Sequence, residues 1–408
     1  MFGCGEAESE ASLAFAPEAT RAAYAPRSDR LRHDQRLQRD VLDWLYDLRL
    51  GARSLILAGV GMVGVLAPVL ASMHGSDAPR REERIGRLHV LPSTPETVRL
   101  GVFDAALPDV LEIDSGDVVV YPDTWSHFLN RLQPGVPIDD LARLRRENPG
   151  RGPHSIVGPV GVRGARPGDM LSIEFQRLLP ASWGATFVNP GDLGTGTLPE
   201  QFPHGQVRYL DFDLVHMRAE FLPGISVPLR PFQGTVGVAP AQGEPGSVSS
   251  VPPGRHAGNI DLRDLTEGTR LYIPVWQPGA RLFTGDSHAA QGHGEVNNQA
   301  LESAMREVRL RVSLHDQPGW AWPMAETETD WICMGIDADL NQAFRIATAN
   351  VIEFLHRRAG LSPMDAYSLA SIAVSFHVTQ FVNQTRGVHA SIPKALFDAG
   401  LRRDITVV

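Results

Sequence analysis

The spacing of its turn residues constrains this chain most. Thirty-nine glycines and 31 prolines, about one residue in six of 408, are spread without a period. Between them stand short apolar runs broken by Gly-Asp or Glu-Gly turns: VLEIDSGDVVVYP, VRGARPGDMLSIEF and LTEGTRLYIPV. Such punctuation interrupts long helices but suits short strands rich in β-branched residues. Each run reads as strand, Gly-bearing turn and strand, the pattern of hairpins in an antiparallel layer, and the likeness of the first two suggests related β-units. The C-terminal third differs. Leu340, Phe344, Ala347, Val351, Phe354 and Leu355 recur at helical spacing between Asp339 and Arg358, and Gly360 supplies a stop. Ser362-Pro363-Met364-Asp365 then reads as the cap, first-position proline and first-turn acid of a second helix. The expected architecture is mainly antiparallel β, hence α+β in the broad sense, with a two-helix segment near the C-terminus.

Residues 1–50 are polar, with a basic cluster at Arg27, Arg30, Arg32 and Arg36, and are expected to be disordered. Within residues 51–80, RSLILAGVGMVGVLAPVLASM carries no charge after Arg53, which suits a signal h-region or a marginal membrane-spanning helix. GARSLILAG resembles a twin-arginine export signal with one arginine of the pair. The expectation is therefore a protein exported or membrane-anchored by this segment and otherwise cytoplasmic; the alternative is a helix packed on the protein. The folded domain is expected over residues 88–400. With 38 basic and 47 acidic residues, a net charge of −9 and no basic run interleaved with aromatics, nucleic acid is a poor candidate partner. A charged fraction of 21% and a mean hydropathy of −0.13 exclude a polytopic membrane protein. Cys4 and Cys333 cannot build a disulfide framework or a cysteine-ligated zinc site.

Chemistry concentrates in LFTGDSHAAQGHGEV, residues 282–296, which sets Asp286, His288, Gln291, His293 and Glu295 in ten residues with Gly285, Gly292 and Gly294 between them. Alternation along an extended strand puts Asp286 and His288 on one face, and likewise His293 and Glu295. The glycines permit a turn that converges all four. Two imidazoles and two carboxylates suit a divalent ion, or a base with an orienting acid; the alternative is a hairpin whose polar groups bond their own backbone. Upstream, His256, Asn259 and Asp261 stand in a loop entering a strand, where Asn259 and Asp261 share a face or form an Asx-type turn. The histidines at 89, 127, 154, 204, 216 and 356 have no partner at informative spacing. The chain has no GxSxG elbow, GKS phosphate loop or HExxH helix, so the usual serine hydrolases, NTPases and zincins are poor candidates.

The succession PHSIVGPVGVRGARPGDMLSIEF, PLRPFQGTVGVAPA, VPPGRHAGNIDLRDLTEGTRLYIPV, GDSHAAQGHGEV and IPKALF resembles, in the same order, the acetamidase/formamidase family, over about residues 88 to 397. The resemblance implies a jelly-roll-like antiparallel β-sandwich with α/β additions, a homo-oligomer, and hydrolysis of a small linear amide to a carboxylate and ammonia. The family's GD-x-HAAQG-x-GE pattern falls on Gly285, Asp286, His288, Ala289, Ala290, Gln291, Gly292, Gly294 and Glu295, and its GN-x-D pattern on Gly258, Asn259 and Asp261. On that basis a divalent ion, zinc by expectation, is assigned to Asp261, Asp286 and His288. Glu295 is the base, with His293 and Gln291 in the catalytic group, and Asn259 or Gln291 contacts the substrate amide. A metal-free acid–base pair fits the same spacing. The chain departs from the family where His293 replaces an acid, Asn297 replaces a cysteine or small residue, and Ser375, His377 and Asn383 replace charged positions. Those departures keep open a non-catalytic ligand-binding or scaffold role, or hydrolysis of an ester or lactone.

Overall fold

Strands begin at Leu88, where the sequence pattern changes. The structure is a computed structural model that describes residues 86–241 and 247–408. The disorder expected at 1–50 and the signal-like segment at 51–80 lie outside the described residues. No described helix is long and apolar enough to cross a membrane.

Two large sheets carry the fold. One has nine strands, in the order Leu88–Val90, Val118–Pro122, Met305–His315, Met170–Pro180, Arg270–Pro274, Met324–Glu326, Asp330–Asp337, Thr385–Pro393 and Ser375–Asn383. The other, of eleven, is built around Leu282–Ala290. That strand pairs antiparallel with Phe232–Val238 on one edge and with Ser155–Val162 and Leu301–Glu302 on the other. Pairing is antiparallel except where Leu88–Val90 meets Val118–Val120 and where Leu111–Ile113 meets Val160–Val162. The expected mainly β, α+β class is what the chain adopts.

The turns stand where the Gly-Asp pairs predict them, but the strands they join do not pair as hairpins. Leu111–Ile113 belongs to the eleven-stranded sheet and Val118–Pro122 to the nine-stranded one; Ser155–Val162 and Met170–Pro180 are divided in the same way. Each turn therefore carries the chain across the sandwich, because both strands have one face to bury and the two sheets supply facing layers. The two similar segments are equivalent in space as well: Val118–Pro122 and Met170–Pro180 flank the same strand, Met305–His315.

The main core lies between the sheets, with Val119, Ile173, Phe175 and Leu310 from one against Val160, Val236, Val238 and Leu282 from the other. A second core lies under the helices. Leu340–Ala359 starts at Asp339, whose carboxylate accepts from the Asn341 amide at 2.9 Å, and stops at Gly360 with φ of 71°. Pro363–Ala373 starts at Ser362, whose hydroxyl accepts from the Asp365 amide at 3.1 Å. Their buried side chains cover Trp331 and Ile392 of the nine-stranded sheet, and Ile405 and Val407 complete that cluster. Phe344, counted above on the apolar face, is half-exposed and stacks on Phe376.

Candidate active site

The strand Leu282–Ala290 is buried along almost its whole length, so its polar residues enter the protein interior. Asp286 is the hub. Its Oδ1 lies 2.8 Å from Nε2 of His127 and 3.3 Å from Nε2 of His288, while its Oδ2 lies 3.1 Å from the Thr235 hydroxyl and 3.8 Å from Nε2 of His154. Glu302, on the short neighbouring strand, brings Oε2 to 3.2 Å from Nε2 of both His127 and His288. On the other side of the His288 ring, Nδ1 faces Asp261 Oδ1 at 3.8 Å. Asn383 completes the ring: its Nδ2 donates to Asp261 Oδ2 at 2.6 Å and to Glu295 Oε2 at 3.0 Å. All of these groups except Thr235 line one recess of about 470 Å³ including its open mouth, walled by Phe187, Val251 and Gln299.

The backbone beneath these groups is strained. Asp261, Asp286 and Glu295 have φ of 49°, 55° and 46°, the left-handed region that favours glycine. His127 opens one helical turn that is left-handed at Phe128, Leu129 and Asn130 (φ 56°, 56° and 67°). Such conformations cost about 1–2 kcal/mol per residue and persist only where surrounding structure imposes them. Here the Phe128 amide donates to the Pro153 carbonyl at 2.7 Å and the Leu129 amide to the Ser155 hydroxyl at 2.9 Å, which holds His127 over Asp286. Gly234 forms the floor. A Cβ there would stand 2.5 Å from His288 Cε1, 2.6 Å from Asp261 Oδ1 and 2.8 Å from Asp286 Oδ2.

Burial works against ionisation of Asp286 and Glu302, yet the imidazoles around them hold both carboxyls below their ordinary values. Burial likewise opposes charge on His127 and His288, but Glu302 and Asp286 raise both rings above the ordinary histidine value. At His154 burial outweighs the support from Asp286 and takes the ring down to about 4. Burial, then the Glu295 carboxylate, pushes Asp261 well above the carboxylate range, and burial lifts Glu295 to about 7. Two carboxylates facing two imidazolium rings thus sit beside a second carboxyl pair held close to a proton.

This donor set fits a divalent ion. Glu302 Oε2 has no aligned hydrogen-bond donor among the described residues, although two ring nitrogens lie 3.2 Å from it. Four nitrogen–oxygen separations of 2.8–3.3 Å link these two rings to the two carboxylates, with one oxygen left unaligned, spacings that ligands of one ion can take. Tetrahedral zinc with bonds of about 2.0–2.2 Å spaces its ligands about 3.3 Å apart. A divalent ion would also replace the two imidazolium protons at unchanged net charge. The buried groups form two candidate triads, His127–His154–Asp286 and Asp261–Asp286–His288, with Asp286 common to both.

The structure brings Asp261, Asp286, His288, Glu295 and Asn259 into the recess and leaves two candidate residues outside it. Gln291 donates from Nε2 to the Asp261 carbonyl at 3.2 Å, behind the recess. His293 turns to the opposite side, toward Asp264. Asn259 lines the recess with its amide engaged: Oδ1 lies 2.8 Å from the Thr235 hydroxyl, and Nδ2 donates to the Val251 carbonyl at 3.2 Å. Sequence reading missed His127, His154, Thr235, Glu302 and Gln299. His127 stands 159 residues from Asp286, and no local pattern marks it.

The Acetamidase/Formamidase family profile matches residues 103–248 and 244–319, over half of the chain. A formamidase from Methylophilus methylotrophus is 24% identical over 322 residues, covering 61% of this chain and 78% of its own. The crystal structure of an acetamidase from Bacillus halodurans is 28% identical and superposes with a TM-score of 0.67, covering 76% of this chain and 98% of that one. For an acetamidase from Yersinia enterocolitica the identity is 27% and the TM-score 0.68, over 77% and 94% of the two chains. With the family profile matched over more than half of its length and its fold shared with these acetamidases, the chain belongs to the acetamidase/formamidase family.

Proposed function

We propose that this chain hydrolyses the carbon–nitrogen bond of a small linear amide, releasing a carboxylate and ammonia, in the recess around Asp286 and Glu295. It is a hydrolase of C–N bonds other than peptide bonds. The observation that carries the reading is Glu295: a buried carboxyl lifted to about 7 beside a cluster able to hold a divalent ion, on the family's own sequence blocks.

An amide carbon is a poor electrophile and ammonia a poor leaving group, so both a base and a proton donor are needed. Glu295 supplies both: its carboxylate accepts the proton of an attacking water, and its carboxyl returns that proton to the departing nitrogen. A pKa near the working pH suits a group that must do each in turn. Asn383 holds Glu295 and Asp261 in place through its two amide hydrogens. Gln299 presents a buried Oε1 without a partner among the described residues, placed to accept from the substrate N–H₂. His127, His288, Asp286 and Glu302 would hold the ion, zinc by ligand type, and when bound it supplies Lewis acidity toward the amide carbonyl and a lowered pKa for water. Asp261, which forms a candidate ligand triad with Asp286 and His288, faces the other nitrogen of His288 at 3.8 Å and would join them as a ligand or set that ring.

The test is ammonia release from formamide, acetamide and propionamide by purified, zinc-supplemented chain, with Glu295→Gln as the paired control. No ammonia from any of the three, or equal release by the variant, defeats the proposal. Self-association and export belong to the same proposal. The first is supported by the exposed Met364, Tyr367 and Ile372 on one helix and is checked by light scattering. The second is supported by the uncharged run after Arg53 and is checked by fractionating cells that express the full chain.

A further inference from the structure

We propose that Asp264, His293 and His389, with His377 beside them, form a second divalent-metal site that pins the Glu295 loop to the strand pair at the edge of the nine-stranded sheet. None of its donors belongs to the Asp286 recess. Asp264 Oδ2 lies 3.7 Å from Nε2 of His293 and 3.8 Å from Nε2 of His389, and one donor atom from each residue falls within 4.8 Å of the others. The His293 and His389 rings are 4.9 Å apart, and His377 stacks 5.1 Å from each. These separations are too long for hydrogen bonds and suit ligands about 2.0–2.2 Å from a shared ion.

His389 supplies the independent observation. It is 1% exposed, its Nδ1 lies 2.7 Å from the Thr379 hydroxyl, and its Nε2 is therefore turned toward Asp264, with no hydrogen-bond partner among the described residues. A histidine fixed through one nitrogen with the other bare and buried is how proteins orient a metal ligand. Burial, then the neighbouring His293 and His377 rings and Arg263, holds His389 well below the ordinary histidine value. The cluster opens on an outward groove where Arg230, Arg270 and Lys394 are offset by Glu267, Glu326 and Asp330, so an ion can reach it from solvent. Two or three imidazoles with one carboxylate select zinc, cobalt or nickel over calcium or magnesium.

The placement indicates what the ion does. Gly294 donates to the Thr379 carbonyl at 3.0 Å and accepts from the Phe381 amide at 3.1 Å, so the loop is already stitched to the strand Ser375–Asn383. His293 immediately precedes that stitch and Glu295 follows it. An ion shared by His293 and His389 adds a tie to the adjacent strand, on the side of the loop away from the recess.

The experiment is a cobalt(II) titration of the chelator-stripped full chain, followed by visible absorption, with zinc content measured by plasma emission after gel filtration. The native chain is expected to take up two equivalents. Asp264→Asn and His293→Asn, both at partly exposed residues, should each lose one equivalent and its absorption band while circular dichroism stays native. Glu302→Gln should lose the other. If the Asp286 recess takes no ion, the native chain binds a single equivalent that vanishes in Asp264→Asn and survives in Glu302→Gln, so the two sites fail separately. Equal uptake by native, Asp264→Asn and His293→Asn chains overturns the second site.

Discussion

Asp286 and Glu295 on one side, and His293 on the other, come from the same ten residues but serve two clusters of opposite character. The first is deeply buried and rich in acid, with Asp286 and His288 at 4% and 2% exposure. The second is rich in imidazole and open to a groove. The first is also where the backbone is strained: Asp261, Asp286 and Glu295 have positive φ, and none of Asp264, His293 and His389 does. Positive φ at a non-glycine residue costs about 1–3 kcal/mol, and the fold spends it where carboxylates must be aimed. The difference teaches that convergence of charge at the recess is imposed by tertiary structure, whereas the second cluster is assembled from two turns and a strand without positive φ at its three residues.

The largest expected effect separates the clusters by turnover. Glu295→Gln should lower kcat about 10²- to 10⁴-fold, the span of general acid–base contributions, with native circular dichroism. His293→Asn, acting through the loop, should cost less than about 30-fold, the upper range for coupling through packed structure. Ammonia release by both variants decides it, and a larger loss in His293→Asn would return that residue to the recess. The two glycines make the next contrast. Gly234→Ala crowds three site side chains at once and should cost about 1–3 kcal/mol of stability along with the Asp286-centred ion. At Gly292 a Cβ meets nothing within 4 Å, and Gly292→Ala should stay within about 0.5 kcal/mol by denaturant titration.

The pH dependence belongs to the recess. As Glu295 titrates at about 7 and acts as a base, kcat/KM should rise with pH through that value. Its folded pKa lies above its ordinary value of 4.5, so the folded chain binds the proton more tightly and this group's contribution to stability falls as pH rises from about 4.5 to about 7. In metal-stripped protein, the Tm of Glu295→Gln relative to native should therefore climb across that window. A constant difference would mean that Glu295 keeps an ordinary pKa. The smallest effect is expected at Asn383. Removing its amide in Asn383→Ala deprives the Glu295 carboxylate of a donor and should move the acid limb of the kcat/KM profile to higher pH by about one unit, with little change at its plateau.

Much of this molecule is legible in order along the chain. The Gly-Asp turns, the strand onset at Leu88, both helices with Asp339 and Ser362 as caps, and the block holding Asp286, His288 and Glu295 all depend on residues close together in sequence. What lies between them is not legible. Both strands around a Gly-Asp turn have the right alternation for a hairpin, and only the second sheet decides that they part. His293 and Glu295 have the right spacing to share a face, and only the φ of 97° at Gly294 and 46° at Glu295 sends them to opposite sides.

The partners of Asp286 show the same boundary at the scale of the whole fold. His127 and His154 carry no local signature; they reach Asp286 because a left-handed turn and the start of the strand Ser155–Val162 are laid over the central strand of the larger sheet. Residue type and periodicity thus determined the elements and the block where chemistry is possible, since both act within a few residues. Which titratable groups face each other, and which therefore gain or lose protons, was decided by strand pairing across more than a hundred residues, because charge interaction and burial depend on distance in space and not along the chain.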